Sequence, residues 1–258
     1  MKVIKTIKKF SSIRNSLISQ KIGFIPTMGA LHLGHLSLIR KSINDSHITV
    51  VSIFLNPTQF DNKNDLNNYP NSLNQDLKKL KTSGVDIVLL PCFSDIFPDD
   101  YNFQIHENNL SKKYCGSLRN GHFNGVLTIV MRLFNIVQPN IAYFGMKDFQ
   151  QLTLIKKMIH AFFMPIEIVA CETIREKDGL AMSSRNLNLT ANERKLAPLL
   201  YKTINSTLSL SEMKRKLINF GFKLDYLEIH GKQLLAAAYL GKVRLIDNVQ
   251  LKKLEHAA

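Results

Sequence analysis

Two histidines and two glycines fall within one ten-residue run, Pro26-Thr27-Met28-Gly29-Ala30-Leu31-His32-Leu33-Gly34-His35. An apolar segment at 22–25 precedes the run, and residues 36–40 follow it with apolar side chains at helical spacing. The order is strand, tight turn, helix. Glycine lets a ligand approach the backbone closely, and a helix N-terminus offers N–H groups and a positive dipole end that favour phosphate. His32 and His35 are spaced i, i+3 and share one face of the first helical turn. The chemistry expected is capture of a polyanion by the turn, with the imidazoles donating hydrogen bonds or protons. A plainer alternative is that the pair caps the helix. A zinc pair would need further ligands, and Cys92, Cys115 and Cys171 are scattered singletons without C-x-x-C spacing, so no metal-ligand set is assigned.

Four further clusters carry polar or reactive side chains. Asn56-Pro57-Thr58-Gln59-Phe60 follows a buried-strand pattern, although Asn-Pro favours turns in any case. Residues 116–125, with Arg119, His122 and Asn124 between glycines, read as a glycine-hinged loop. Phe144-Gly145-Met146-Lys147-Asp148-Phe149-Gln150-Gln151 again runs from strand into helix. Asp178-Gly179-Leu180-Ala181-Met182-Ser183-Ser184-Arg185-Asn186 sets hydroxyls and a guanidinium, which matches phosphate geometry, beside a glycine.

These clusters need a frame to bring them together. Strand patterns at 23–27, 48–54, 86–90, 141–144 and 166–171 alternate with helical patterns at 34–44, 72–82, 126–137 and 149–162. A Ser72/Gln75 capping box is expected to open the second of these helices. Such alternation predicts an α/β fold, a Rossmann-like parallel sheet whose ligands bind beyond the carboxyl ends of the strands. The texture changes after Cys171. Residues 172–188 read as a mobile connector, helices are expected at 190–206 and 209–220, and short strands at 224–229, 234–239 and 243–246. The expected organisation is a nucleotide-binding domain over 1–176 and a small α+β lid domain over 177–258, with 254–258 a frayed end.

The 258 residues are 45% hydrophobic and 21% charged, a globular balance that argues against disorder. No apolar run approaches the roughly 20 residues of a membrane helix. The basic N-terminus has no continuous apolar stretch and is not read as a secretory signal. Unpatterned cysteines suit a reducing, cytoplasmic setting. The formal net charge of +14 attracts polyanions of any kind, nucleotide or nucleic acid. A dedicated RNA-binding module is disfavoured, because the chain has no Trp and no basic stretch interleaved with aromatics.

Taken together, the strings at 26–35, 56–60, 144–151 and 178–186 resemble, in order and spacing, the pantothenate synthetase (pantoate–β-alanine ligase) family of the nucleotidylyltransferase superfamily. The resemblance runs from about residue 1 to 188 and resumes at 241–248. It implies ATP-dependent condensation of pantoate with β-alanine through a pantoyl adenylate, releasing pyrophosphate and AMP. Another adenylyltransferase, acting on a phosphorylated cofactor precursor, would keep the histidines without requiring the Gln59 and Gln151 strings.

The resemblance also implies roles. His32 and His35 would contact the phosphates, His35 as proton donor, within an ATP-binding turn completed by Met28, Gly29, Ala30, Leu31, Leu33 and Gly34. Lys147, Ser183, Ser184 and Arg185 would neutralise charge building on the phosphates. Gly145, Met146 and Asp148 would bind the nucleoside, with Ile174 and Met182 near the adenine. Gln59 and Gln151 would hold pantoate, with Pro26, Met28 and Phe60 as its apolar neighbours, β-alanine sharing this pocket. Mg²⁺ is expected with ATP, held mainly by phosphate oxygens and water. A homodimer is expected, with no nucleic-acid or membrane partner. Met146 stands where relatives of the family usually have Glu or Gln, and Asn124 where a longer or charged side chain is frequent.

Overall fold

Residues 1–251 are described by a computed structural model. The chain divides into two units, one comprising Met1–Met146 and Gln150–Glu172, the other Lys147–Phe149 and the residues from Thr173 onward. In the first unit, short β-branched runs build six strands: β1 (Lys2–Ile4), β2 (Ile22–Thr27), β3 (Ile48–Ile53), β4 (Ile87–Leu89), β5 (Ile141–Gly145) and β6 (Glu167–Cys171). They form one all-parallel sheet in the order β1-β4-β3-β2-β5-β6. Successive residues of β2 serve opposite faces. Ile25 packs with Leu38 and Ile39 of the helix Leu33–Asp45. The Phe24 ring meets Phe134 of the helix His122–Val137 edge-on, with centroids 6.3 Å apart. Burial on both faces accounts for the uninterrupted apolar strands, and each such side chain contributes about 1.5–3 kcal/mol. Because β2, β3 and β5 are parallel neighbours, the residues following Thr27, Ile53 and Gly145 leave the sheet along one edge.

Most elements expected from the sequence are present, with ends moved by a residue or two. β1 was not expected. It pairs with β4 in the register Lys2↔Ile87, and the unexpected helix Ile7–Asn15 follows it, capped by Thr6. The Ser72/Gln75 capping box does not form. Ser72 begins the helix Leu73–Thr82 without a side-chain cap, because its hydroxyl is drawn to the Asp76 carboxylate at 3.2 Å. Residues 116–125 are not a hinged loop. A short helix, Cys115–Leu118, gives way at Gly121, whose left-handed φ of 75° starts the helix His122–Val137.

The second unit carries an antiparallel sheet of β7 (Lys223–His230), β8 (Gln233–Leu240) and β9 (Val243–Gln250). Leu200, Ile204, Met213 and Leu217 pack with Ala236, Ala238 and Leu245 in its core. The single helix expected over 190–206 is two, Ala191–Leu196 and Leu199–Ile204, parted at Pro198. Proline has no N–H to continue the ladder and disfavours helix in the residue before it. The Thr190/Glu193 and Ser209/Glu212 capping boxes both form. The connector is tied down. Arg175 bridges to Ala181, Arg194 binds Glu176 and Asp178 at 2.5 and 2.6 Å, and Arg175 pairs with the buried Asp247 while stacking on Tyr201. The reading of 254–258 lies outside the described residues.

Candidate active site

β2 ends in a turn with two consecutive left-handed residues, Gly29 (φ 82°) and Ala30 (φ 51°). The helix Leu33–Asp45 then begins at His32. The histidine pair forms a reciprocal cap. The Gly34 N–H donates to His32 Nδ1 at 3.1 Å, and the His32 N–H donates to His35 Nδ1 at 3.3 Å. The rings lie 4.1 Å apart, tilted by 35°. Since each Nδ1 accepts, each imidazole is the tautomer that carries its proton on Nε2. Capping and chemistry are therefore compatible, one nitrogen serving each.

Ahead of the helix, the backbone N–H groups at residues 29–31 are not turned toward a ligand. The N–H groups of Ala30 and Leu31 donate instead to Asp76, and that of Gly29 donates to Thr27 Oγ1 at 3.2 Å. Among the residues of the turn, Leu31 is a core residue and Leu33 is exposed.

The segment after β3 is clasped to the helix His122–Val137. A Cβ on Gly125 would stand 2.3 Å from the Thr58 carbonyl, so only glycine permits this approach. Asn56 Nδ2 donates to the Gly125 carbonyl and to Gln59 Oε1, at 3.3 and 3.2 Å. Gln59 Nε2 points at Met28 Sδ, 3.1 Å away. Two side chains expected to face pantoate, Met28 and Gln59, thus lie together. Below them, His122 Nδ1 donates to the Gln59 carbonyl at 2.6 Å, and Arg119 reaches His122 Nε2 and Asp61. Burial alone would push the Asp61 carboxyl up, but the Arg119 bond and charge outweigh it and hold the group below its usual range. Phe60 packs edge-on against Tyr69. Pro26 and Gln151 are half-buried, whereas the neighbouring Gln150 is buried and bonds the backbone at Cys115, Leu110 and Lys113.

The second unit gathers the other candidates. The Met182 N–H donates to the Ile174 carbonyl at 3.0 Å, which sets the two expected adenine neighbours side by side. Lys147 Nζ donates to the Met182 carbonyl at 3.4 Å and lies 3.9 Å from Asp148. Ser183 caps the following turn through the Arg185 N–H, and Ser184 is buried. Asn248 of β9 donates to the Lys147 carbonyl at 3.0 Å. Asp76, Lys79 and Asn248 carry no signal in the sequence that marks them for a site, whereas Asn56, Arg119 and His122 stand within clusters that it offers without a specific role.

A parallel sheet with paired imidazoles at the carboxyl end of a central strand is an arrangement suited to a nucleotide-binding α/β enzyme. Residues 2–250 match the family model for pantoate–β-alanine ligase, and the chain belongs to that family. A pantothenate synthetase of Bdellovibrio bacteriovorus is 47% identical over 249 residues, covering 96% of this chain and 99% of that protein. One from Legionella pneumophila (strain Corby) is 44% identical, covering 97% and 100%. A crystal structure of pantoate-beta-alanine ligase from Francisella tularensis, complexed with beta-gamma ATP and beta-alanine, superposes with a TM-score of 0.93 at 44% identity, over 97% of each chain.

Proposed function

We propose that this chain condenses pantoate with β-alanine at the expense of ATP. A pantoate carboxylate oxygen attacks the α-phosphorus, a new P–O bond forms, and pyrophosphate departs. The β-alanine amine then attacks the acyl carbon of the adenylate, releasing AMP and forming the amide. Adenylation supplies the leaving group, so the protein's work is positioning and charge stabilisation. His32 and His35 direct Nε2–H donors at the phosphates, with His35 the proton donor. Lys147, Ser183, Ser184 and Arg185 offset charge on the phosphates, and Asp148 accepts from ribose hydroxyls. Gln59 accepts from Asn56 on Oε1 and points one amide N–H at Met28 Sδ, so its second amide N–H is the one to face pantoate, with Gln151 as the second polar contact.

Among the described residues, no group of three or more His, Cys, Asp or Glu is placed to hold a metal ion. Mg²⁺ would arrive with ATP, held through phosphate oxygens and water, and would neutralise triphosphate charge. Three free thiols support the reading of a cytoplasmic enzyme, and the family resemblance supports a homodimer. Family membership along 2–250 carries the proposal. Its test is exchange of labelled pyrophosphate into ATP. Exchange should require pantoate and Mg²⁺ but not β-alanine, and exchange indifferent to pantoate refutes the assignment.

A further inference from the structure

The turn between β2 and the helix Leu33–Asp45 is fastened from behind by the helix Leu73–Thr82. Asp76, only 1% exposed, receives the Ala30 N–H on Oδ2 at 2.7 Å and the Leu31 N–H on Oδ1 at 2.8 Å. Ser72 adds its hydroxyl to Oδ1 at 3.2 Å. One helical turn on, Lys79 Nζ donates to the Leu31 carbonyl at 2.5 Å. Successive N–H groups in a left-handed turn make a concave anion site. Here the chain's own carboxylate fills it. The left-handed φ of Ala30, costly for a residue with a Cβ, persists because both flanking peptide groups are held.

We propose that Asp76 and Lys79 are positioning residues for adenylation. They lock the backbone of residues 29–31 so that the next residues, His32 and His35, aim their Nε2 donors in one fixed direction. Phosphate contact then falls to the imidazoles and not to the N–H groups of the turn, which Asp76 already occupies. The inference rests on the ligase reading and deepens it. A reacting group misplaced by about 1 Å loses roughly 10²-fold in rate, so the cost of loosening this turn should appear in the chemical step.

Asp76→Asn is nearly isosteric, keeps one acceptor and sets an amide N–H₂ against the other backbone N–H. The experiment is rapid quenching of enzyme with ATP, Mg²⁺ and pantoate, without β-alanine, reading the rate constant and amplitude of the pantoyl-adenylate burst. We expect the rate constant to fall by about 10²-fold, with the amplitude still near one per chain. A wild-type rate constant overturns the proposal, whether amplitude is full or reduced, since a purely structural residue changes only the number of competent sites. Should Asp76→Asn fail to fold, Lys79→Met decides. This variant should slow the burst by about tenfold at full amplitude, and an unchanged rate overturns the idea. Wild-type protein run alongside separates the two levels. Absence of any pantoate-dependent burst there sinks the ligase reading itself, whereas a wild-type burst matched by both variants sinks only the role of Asp76 and Lys79.

Discussion

His35 accepts the backbone N–H of His32 on Nδ1, so the side chain assigned to the phosphates is also a cap of its own helix. The two duties can be separated by substitution. His35→Gln keeps an acceptor at the third helical position, where glutamine completes capping boxes, and should abolish adenylate formation with little change in melting temperature. His35→Ala should lose activity and also about 1 kcal/mol of cap, a drop of about 2–4 °C. Exchange assays and thermal melts on both variants check this. Substantial activity in His35→Gln would reduce the imidazole to a cap.

The bond from His122 to the Gln59 carbonyl links a buried imidazole to the residue proposed to hold pantoate. His122→Phe removes the donor while filling the space. The expected result is a KM for pantoate raised about tenfold, as fits loss of one buried hydrogen bond, with the KM for ATP within twofold. Equal rises in both constants would count against a local role for Gln59.

A Cβ built on Gly145 meets no atom of the described residues within 4 Å. Gly145→Val should therefore leave the melting temperature nearly unchanged. If the nucleoside lies against this residue, the KM for ATP should rise at least tenfold. Tight ATP binding by the variant, measured by calorimetry, would remove Gly145 from the nucleoside site.

The Arg132 guanidinium grips both oxygens of Asp99 at 2.6 and 2.8 Å. Its hydrogen bonds, with a further one from the Phe103 N–H, hold that carboxyl well below the usual range. A depressed pKa stabilises the fold at pH above the unfolded value, near 3.9, and that contribution fades as pH falls toward the folded value. Melting temperature should be level from pH 7 to 5 and decline below about pH 4. Asp99→Asn should make the acid decline shallower, and parallel curves for the two proteins would exclude this pair as a source of it.

Legibility in the sequence followed the range of the interactions. The strands around Thr27 and Ile53 were readable because burial on both faces leaves continuous β-branched runs, and the His32/His35 turn because its glycines and helix start are local. β1 was hidden by its three-residue length among lysines. Asp76 reads as an acidic residue in a helix's first turn, where the dipole alone would favour it. Only the fold shows it turned inward, and the same inward pull undid the expected Ser72 cap. Gln150 and Gln151 are alike in sequence, yet one knits loop backbone together and the other, next to it in the same helix, stays half-buried. The break at Pro198 was the local signal most open to reading, and the helical period on either side masked it.

The bond from Asn248 to the Lys147 carbonyl joins β9, the last strand among the described residues, to a residue about a hundred positions earlier. During ribosomal synthesis Lys147 emerges long before its anchor. A nascent or prematurely terminated polypeptide lacking β9 holds both histidines of the first turn but leaves that lysine's backbone without its bond to Asn248, which forms only once β9 has been made.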